Sequence, residues 1–445
     1  MRADTSGTKR LGNNGLRDVL HHLHEHTYPQ VSNPPDCKKR ASVALVIRLR
    51  PDASYWPCRS GTDSTPSSSF EDRLNGFFDQ AWVQHADPEV LFIKRAARTG
   101  DRWTSHVALP GGKREPADSS DWATGARETL EEVGLDLNAG FCLPVGNLPE
   151  RIVTTSWGKV PLMVLCPFVC LVTHHHLPPL RLQPTEVGST HWVSLRALLS
   201  PSLRTYERAD VSDRLAGRSG PVTRGILRAI LGQMLFAAVR LVPTESLYCS
   251  SVPGFIPDSF EEHPKRASVV GRLRCWWRGD HAGPVSTERP LLLWGLTLGI
   301  VADFLEMLPP HNALDLWTWP TFSPWDVRLV LWIMSYSFRM RKLRQIGVGQ
   351  VHAPAAVEEG AEAIDAPKGK PPEVRPGEVG IGGLGAGQLY SKLKQSHERG
   401  RSSAVGIMLE GYYDLVRRAV FVALVLRVAT GLAMSSLFIK RFRRH

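Results

Sequence analysis

Three glutamates, Glu128, Glu131 and Glu132, fall within five residues of "GGKREPADSSDWATGARETLEEVGL", Gly111 to Leu135. On a helix they stand at i, i+3 and i+4, so all three share one face. Like charges at that spacing destabilise an isolated helix by a few tenths of a kcal/mol per pair, roughly 0.2–0.5. No lysine lies between Arg127 and Asp136 to balance them. A divalent cation turns the cost into a ligand set, and Mg²⁺, a hard ion, takes carboxylate oxygens while sharing substrate phosphates. Gly111 and Gly112 let the backbone turn tightly and come close to a ligand. Arg127, beside the cluster, is placed to hold a carboxylate or touch phosphate.

The elements that must position these groups read as follows. "SVALVIRLR" (42–50) and "EVLFIKR" (89–95) are buried strands, rich in β-branched and aliphatic residues. A short helix is expected near "FEDRLNGFFDQ", and "SHVALPGG" reads as a third strand stopped by Pro110 and the two glycines. The acidic helix runs from about Asp121 to Val133 and ends on Gly134 as its C-terminal cap. "PLMVLCPFVCLV" is a further strand, and "STHWVSLRALLS" a strand turning into a short helix. Mixed strands around individual helices indicate one core of the α/β (α+β) class.

The 445 residues allow two or three domains. Residues 1–37, polar and Pro-containing, read as a flexible N-terminal arm, and "GILRAILGQMLFAAVRLV" (225–242) as a helix. An aromatic, basic helical extension occupies 310–349, and 350–404, rich in Ala, Gly, Pro, Glu and Lys, reads as a disordered linker. Lys plus Arg exceed Asp plus Glu by 54 to 43, a formal charge of +11 that favours polyanionic partners without choosing among them. No arranged basic and aromatic motif points to specific nucleic-acid binding. The 7 cysteines show no zinc-type pairing, and the N-terminus lacks a secretory core, so an intracellular protein with reduced thiols is expected.

The stretch resembles the Nudix box: a glycine, five residues, an acid, then an Arg-Glu-x-x-Glu-Glu-x-Gly run. Here Gly112 precedes "KREPA", Asp118, "SSDWATGA" and "RETLEEVG". Asp118 replaces the usual glutamate, and the spacer has eight residues rather than seven, which is similar to the coenzyme A diphosphatase branch. "LLLWGLTLGI" is similar to the strand and helix with a Trp-Gly-x-Thr run that closes many members of that branch. The resemblance implies an α/β/α sandwich with a mixed sheet over 38–309, with an insertion at about 203–290. It implies metal ligation by Glu128, Glu131, Glu132 and the Gly112 carbonyl, with Glu186 in "QPTEVGSTHWVSL" as a further metal or water-activating acid. One of Glu131 and Glu132 would be the general base, with Arg127 orienting the carboxylates. Mg²⁺ is the expected ion and Mn²⁺ a substitute.

The expected reaction is hydrolysis of a nucleoside diphosphate linked to another group, coenzyme A first. In "IKRAARTGDRWTSHVALPGG", Arg95 and Arg98 are candidates for a substrate phosphate and Trp103 for stacking on a base, with Gly111 close to substrate. His106 stands where that branch carries Gln, so a sugar nucleotide, a dinucleotide cofactor or an oxidised nucleotide stays open. So does a non-catalytic nucleotide sensor or membrane scaffold, although the complete acidic trio argues against it.

Two apolar segments bear on membranes. As a span, "LLLWGLTLGIVADFLEML" would carry Asp303 and Glu306, so a strand entering a helix whose acids face water is expected. Residues 405–445 form an apolar helix with a basic end. Its Ala419–Ile439 run is long enough to cross about 30 Å of hydrocarbon. Spanning, lying on an anionic surface and docking on the Nudix domain all remain open for it.

Overall fold

The computed structural model describes residues 13–35, 37–56, 69–96, 105–155, 160–210, 231–249, 290–309, 318–347 and 411–443, with positions 225, 228 and 313. Arg98 and Trp103, the 350–404 segment, Cys58 and Cys275 lie outside the described residues.

Strand β1 (Arg40–Arg50) sits in the middle of a nine-stranded mixed sheet. It pairs parallel with β7 (Val160–Val172) and antiparallel with β2 (Asp87–Arg95). Strand β8 (Val187–Ser194) continues the sheet beyond β2, and β5 (Cys142–Asn147) and β6 (Arg151–Thr155) pair with β7. Successive side chains of a strand point to opposite faces, and β1 feeds two cores in that way. Leu45, Ile47 and Leu49 enter the larger core, whereas Ala44 and Val46 pack with Ala126 and Val133 of α4 (Asp121–Val133). That layering is the α/β class with a mixed sheet between helices.

Several expectations are corrected. The segment read as a single strand before the glycines is two pieces, β3 (Val107–Ala108) against β2 and β4 (Gly111–Lys113) against β1. Pro110 separates them, and the glycines lie in β4 rather than ending a strand. Within the expected flexible arm, residues 13–25 form helix α1 (Asn13–Glu25). Its Leu16, Val19, Leu20 and Leu23, at i, i+3, i+4 and i+7, are buried in the larger core. Helices α2 (Phe70–Phe78) and α3 (Ala81–His85) join that layer, and α2 starts on a reciprocal Ser69–Asp72 capping box.

The 225–242 helix is only partly present. Positions 225, 228 and 231 are helical, Gly232 takes φ 60°, and Met234–Arg240 is a strand, β10. Ala, Leu and Met favour helix locally, but β10 is held on both edges by long-range partners, which outweigh that propensity. After the short helix α5 (Leu195–Leu199), β9 (Arg204–Ala209) pairs with one edge of β10. On the other edge lie β12 (Leu292–Trp294) and β13 (Thr321–Phe322), completing a four-stranded second sheet. Strand β11 (Glu245–Tyr248) returns to the first sheet and extends its edge beside β8.

Helix α6 (Gly295–Met307) follows β12 directly, but its acids do not face water. Asp303 and Glu306 are fully buried, and Asp303 pairs with the equally buried Arg151 of β6. A buried charge requires such a partner. The C-terminal helices are α7 (Trp325–Gly347) and α8 (Tyr412–Phe442).

Candidate active site

Helix α4 starts where the Ser120 side chain accepts the Ala123 N–H at 3.1 Å and ends on Gly134 at φ 73°. It packs on β1, with Gly125 3.6 Å from Ser42 by its virtual Cβ, so its glutamate-bearing turn is pressed toward the Gly111–Gly112 turn. Within β4, position 111 admits only glycine, and position 112 is crowded by a side chain. Gly111 has φ 145°, and a Cβ there would lie 2.6 Å from Val43 Cα, while a Cβ on Gly112 would run into the Glu128 carboxylate.

Arg127 is the hub. Its Nε donates to Asp118 Oδ1 at 2.9 Å and its Nη2 to Asp118 Oδ2 at 3.1 Å. The same guanidinium donates to Glu131 Oε2 and Glu128 Oε1, each at 3.0 Å, and to the Lys113 carbonyl at 3.1 Å. Asp118 also accepts from the Glu115 N–H at 2.8 Å and the Thr124 hydroxyl at 3.0 Å. The Arg127 fork holds the Asp118 carboxyl well below the usual carboxylate range.

The three glutamates have different surroundings. Glu131 is exposed and rests on Arg127. Glu128 is half-buried, and burial raises its pKa against the pull of Arg127, with the Glu131 and Glu186 charges adding to the rise. Glu132 is buried and accepts the Gly111 N–H at 2.9 Å. Burial pushes its carboxyl up to about 8; the Gly111 hydrogen bond opposes this and the facing Glu128 charge reinforces it. Arg95, at the end of β2, pulls Glu132 down, and Glu186 pushes it up. Glu186 thus belongs to the same electrostatic group. Its loop is fixed by the Gln183 N–H to the Glu132 carbonyl at 3.0 Å and the Ala96 N–H to the Glu186 carbonyl at 2.8 Å.

These residues fit a divalent cation. Carboxylate oxygens are the donors a hard ion takes, and the Glu128 charge is felt at Glu132, which lies against Gly111 of β4.

Arg95, read from the sequence as a phosphate binder, lies beside His106 and Trp294, neither of which was read as a site residue. The Arg95 N–H donates to the His106 carbonyl at 3.0 Å, and the register sets Arg95 opposite His106, on one face of the sheet. The His106 ring lies 5.1 Å from that of Trp294, and Trp294 lies 5.7 Å from Phe236. Trp294 follows the acidic helix by some 160 residues, so only the second sheet brings it here. A cavity of about 500 Å³ opens between α4 and the 178–183 loop, lined by Leu130, Glu131, Pro178, Pro179 and Arg181 among others.

Among the described residues, the groups with the mutual proximity of metal ligands are His21, Glu25 and Glu71, and Asp121, Glu150 and Cys166, neither of which includes the three glutamates; a guanidinium already fills the second. Arg40 Nη2 lies 2.8 Å from Asp121 and Glu150 and 3.1 Å from Cys166 Sγ. It ties β1 to α4 and β7.

A strand carrying two glycines and a helix presenting three glutamates beside a mixed sheet make up the frame of the site. The NUDIX domain profile matches residues 81–215. An uncharacterized protein of Schizosaccharomyces pombe is 33% identical over 309 residues, covering 68% of this chain and 77% of that protein. Among solved structures, the NUDIX domain of Shewanella oneidensis NrtR, complexed with ADP ribose, is 14% identical. It covers 40% of this chain and 84% of that one, with a TM-score of 0.23. A NUDIX hydrolase from Alicyclobacillus acidocaldarius is 17% identical over 43% and 90% of the two chains, with a TM-score of 0.22.

The chain carries a Nudix domain. It is a phosphoanhydride hydrolase, and its family acts on nucleoside diphosphates linked to another group, generally with a divalent metal such as Mg²⁺.

Proposed function

We propose that the protein cleaves the diphosphate of coenzyme A or a coenzyme A thioester, with Mg²⁺. The observation carrying the hydrolytic reading is the placing of Glu128, Glu131 and Glu132 on one helix beside Gly111 and Gly112, with Arg127 holding Glu128 and Glu131 and the Gly111 N–H holding Glu132. The coenzyme A reading is supported by the long box spacer and by the aspartate that precedes it, Asp118, which accepts two of the Arg127 hydrogen bonds.

Glu128, Glu131, Glu132, Glu186 and the Gly112 carbonyl would hold the metal. Bound there, the ion supplies positive charge to the diphosphate and lowers the pKa of water. The chain's own groups do the rest. Arg127 fixes Glu128 and Glu131, and the Gly111 N–H fixes Glu132. The Glu131/Glu132 pair supplies the proton acceptor as water adds to phosphorus and the bridging oxygen leaves on the other phosphate. Arg95 and the His106–Trp294 pair meet the nucleoside end, Arg95 through phosphate and the rings by stacking on the base. Arg98 and Trp103 remain candidates for the same end.

A substrate panel with Mg²⁺, read by product mass, tests this. Coenzyme A should give adenosine 3′,5′-bisphosphate and phosphopantetheine. Preference for a sugar nucleotide, a dinucleotide cofactor or an oxidised nucleotide would reassign the substrate. We also read α8 as a membrane-attachment element, on its length and exposed apolar surface.

A further inference from the structure

We propose that His21 and Glu25 of α1, with Glu71 of α2, form a site for a divalent transition ion, Zn²⁺ first, that bridges the two helices. The site is separate from the glutamate helix, and it does not rest on the hydrolytic reading.

The segment "HHLHEH", residues 21–26, puts four imidazoles and a carboxylate at the end of α1. His21 and Glu25 stand at i and i+4 and therefore share a helix face. Glu71 lies in the first turn of α2. The two helices are set against each other just beside these groups. The His24 ring stacks on Phe70 at 3.6 Å, and His24 Nδ1 lies 3.1 Å from the Val145 carbonyl of β5. A ring nitrogen of His21, a Glu25 oxygen and a Glu71 oxygen come within 4.8 Å of one another. Donors carried on packed helices are held more closely than donors on loops.

The charges point to a cation. His21 Nδ1 is 3.3 Å from Glu25 Oε2, and its Nε2 is 3.6 Å from Glu71 Oε1. A neutral imidazole has one N–H and one lone pair, so it donates to one carboxylate while its lone pair faces the other. Among the described residues, histidines are the only cationic partners within ion-pair range of the two glutamates, His26 Nδ1 also approaching Glu25 Oε2 at 3.9 Å. An ion bound to the ring nitrogen turns that repulsion into ligation and neutralises both carboxylates. The competing arrangement is an imidazolium donating from both nitrogens.

The donor set selects the ion. One imidazole with two carboxylates suits Zn²⁺ and its neighbours, whereas Mg²⁺ takes oxygen donors. A tetrahedral ion with bonds of about 2.0–2.1 Å sets its donors about 3.4 Å apart, close to the two His21–carboxylate separations. The three side chains are 36%, 47% and 59% exposed, which leaves an entry path and room for a water as fourth ligand. Helix α1 enters the larger core through Leu16, Leu20 and Leu23, and α2 through Leu74, Phe77 and Phe78. An ion holding the two together therefore stabilises that layer of the fold.

The test is calorimetric titration of the full-length protein with Zn²⁺ in excess Mg²⁺, beside melting curves. The expected result is a Zn²⁺-binding event that raises the melting temperature, because the ion binds the folded state. H21A and E71Q should each weaken that event by roughly tenfold or more, at least the scale of losing a group that only orients a ligand. E132Q should keep it. Without Zn²⁺, H21A and E71Q should show native circular dichroism, which shows that both are folded. Three results would overturn the proposal: no Zn²⁺ binding, binding kept unchanged in H21A and E71Q, or loss of all Zn²⁺ binding in E132Q. Each is read independently of whether coenzyme A is hydrolysed.

Discussion

Arg127 meets Asp118 through two parallel hydrogen bonds, Nε to Oδ1 at 2.9 Å and Nη2 to Oδ2 at 3.1 Å. Its remaining reach goes to Glu128 and Glu131, so Asp118 decides where two of the three glutamates stand. Asp118→Ala should lower kcat by roughly tenfold to a hundredfold, the scale of an ångström-size misplacement. Asp118→Glu should recover part of it. Steady-state kinetics beside circular dichroism would check this, and unchanged kcat in Asp118→Ala would remove Asp118 from the account.

Glutamine at Glu131 or Glu132 keeps size and removes charge. At least one of the two single variants should lose about a hundredfold or more in rate, the scale of a general base or key charge. Added Mg²⁺ should raise the melting temperature of the native protein more than that of Glu132→Gln, because a ligand stabilises the state that binds it. Equal shifts would place the metal elsewhere.

The hydrolytic helix was legible in the sequence because its signals are local. Ser120 caps it, Gly134 ends it, and the acids fall at helical spacing. The central strands β1 and β2 were equally plain. Helix α1 carried its apolar i, i+3, i+4, i+7 pattern too, but it lies in a polar, proline-flanked segment that masks it. Strand β10 was hidden because its pairing partners lie far away in sequence. The water-facing reading of Asp303 failed for the same reason, since Arg151 lies some 150 residues upstream. The outward turn of Glu131 and inward turn of Glu132 depend on Arg127 and Gly111 geometry, which spacing alone does not contain.

Removing one partner of a buried ion pair leaves an uncompensated charge, at a cost of about 3–5 kcal/mol. Asp303→Ala should therefore destabilise the whole domain, and Arg151→Met/Asp303→Leu should restore most of the loss. Denaturant unfolding measures both. A neutral Asp303→Ala would mean that α6 is not integral to the domain.

His191 is buried between the Ser189 and Ser246 hydroxyls, at 2.9 and 2.8 Å. Burial, with the Lys94 charge, pushes its pKa from 6.5 down to about 4. Between those values the unfolded chain binds a proton that the folded chain refuses, so stability falls as pH drops from 6.5 toward 4. The contribution is fully present above 6.5 and gone below about 4. His191→Gln, which does not titrate, should show a flatter profile of unfolding free energy across that window. Parallel profiles would contradict this.

Trp294→Ala should raise KM for a nucleoside-containing substrate by roughly five- to a hundredfold, the scale of about 1–3 kcal/mol for one stacked base. Its kcat should change little, because a ring that stacks on the base contributes binding and not the proton acceptor. A fall in kcat at constant KM would instead make Trp294 a packing residue for β3.

The most direct measurement is the mass of the products formed from coenzyme A, with the full-length protein and Mg²⁺, beside a panel of other nucleoside diphosphate derivatives. The expected result is adenosine 3′,5′-bisphosphate with phosphopantetheine, formed by the native protein and abolished by chelation. Absence of phosphoanhydride cleavage in every member of the panel, with Mg²⁺ or Mn²⁺, would contradict it.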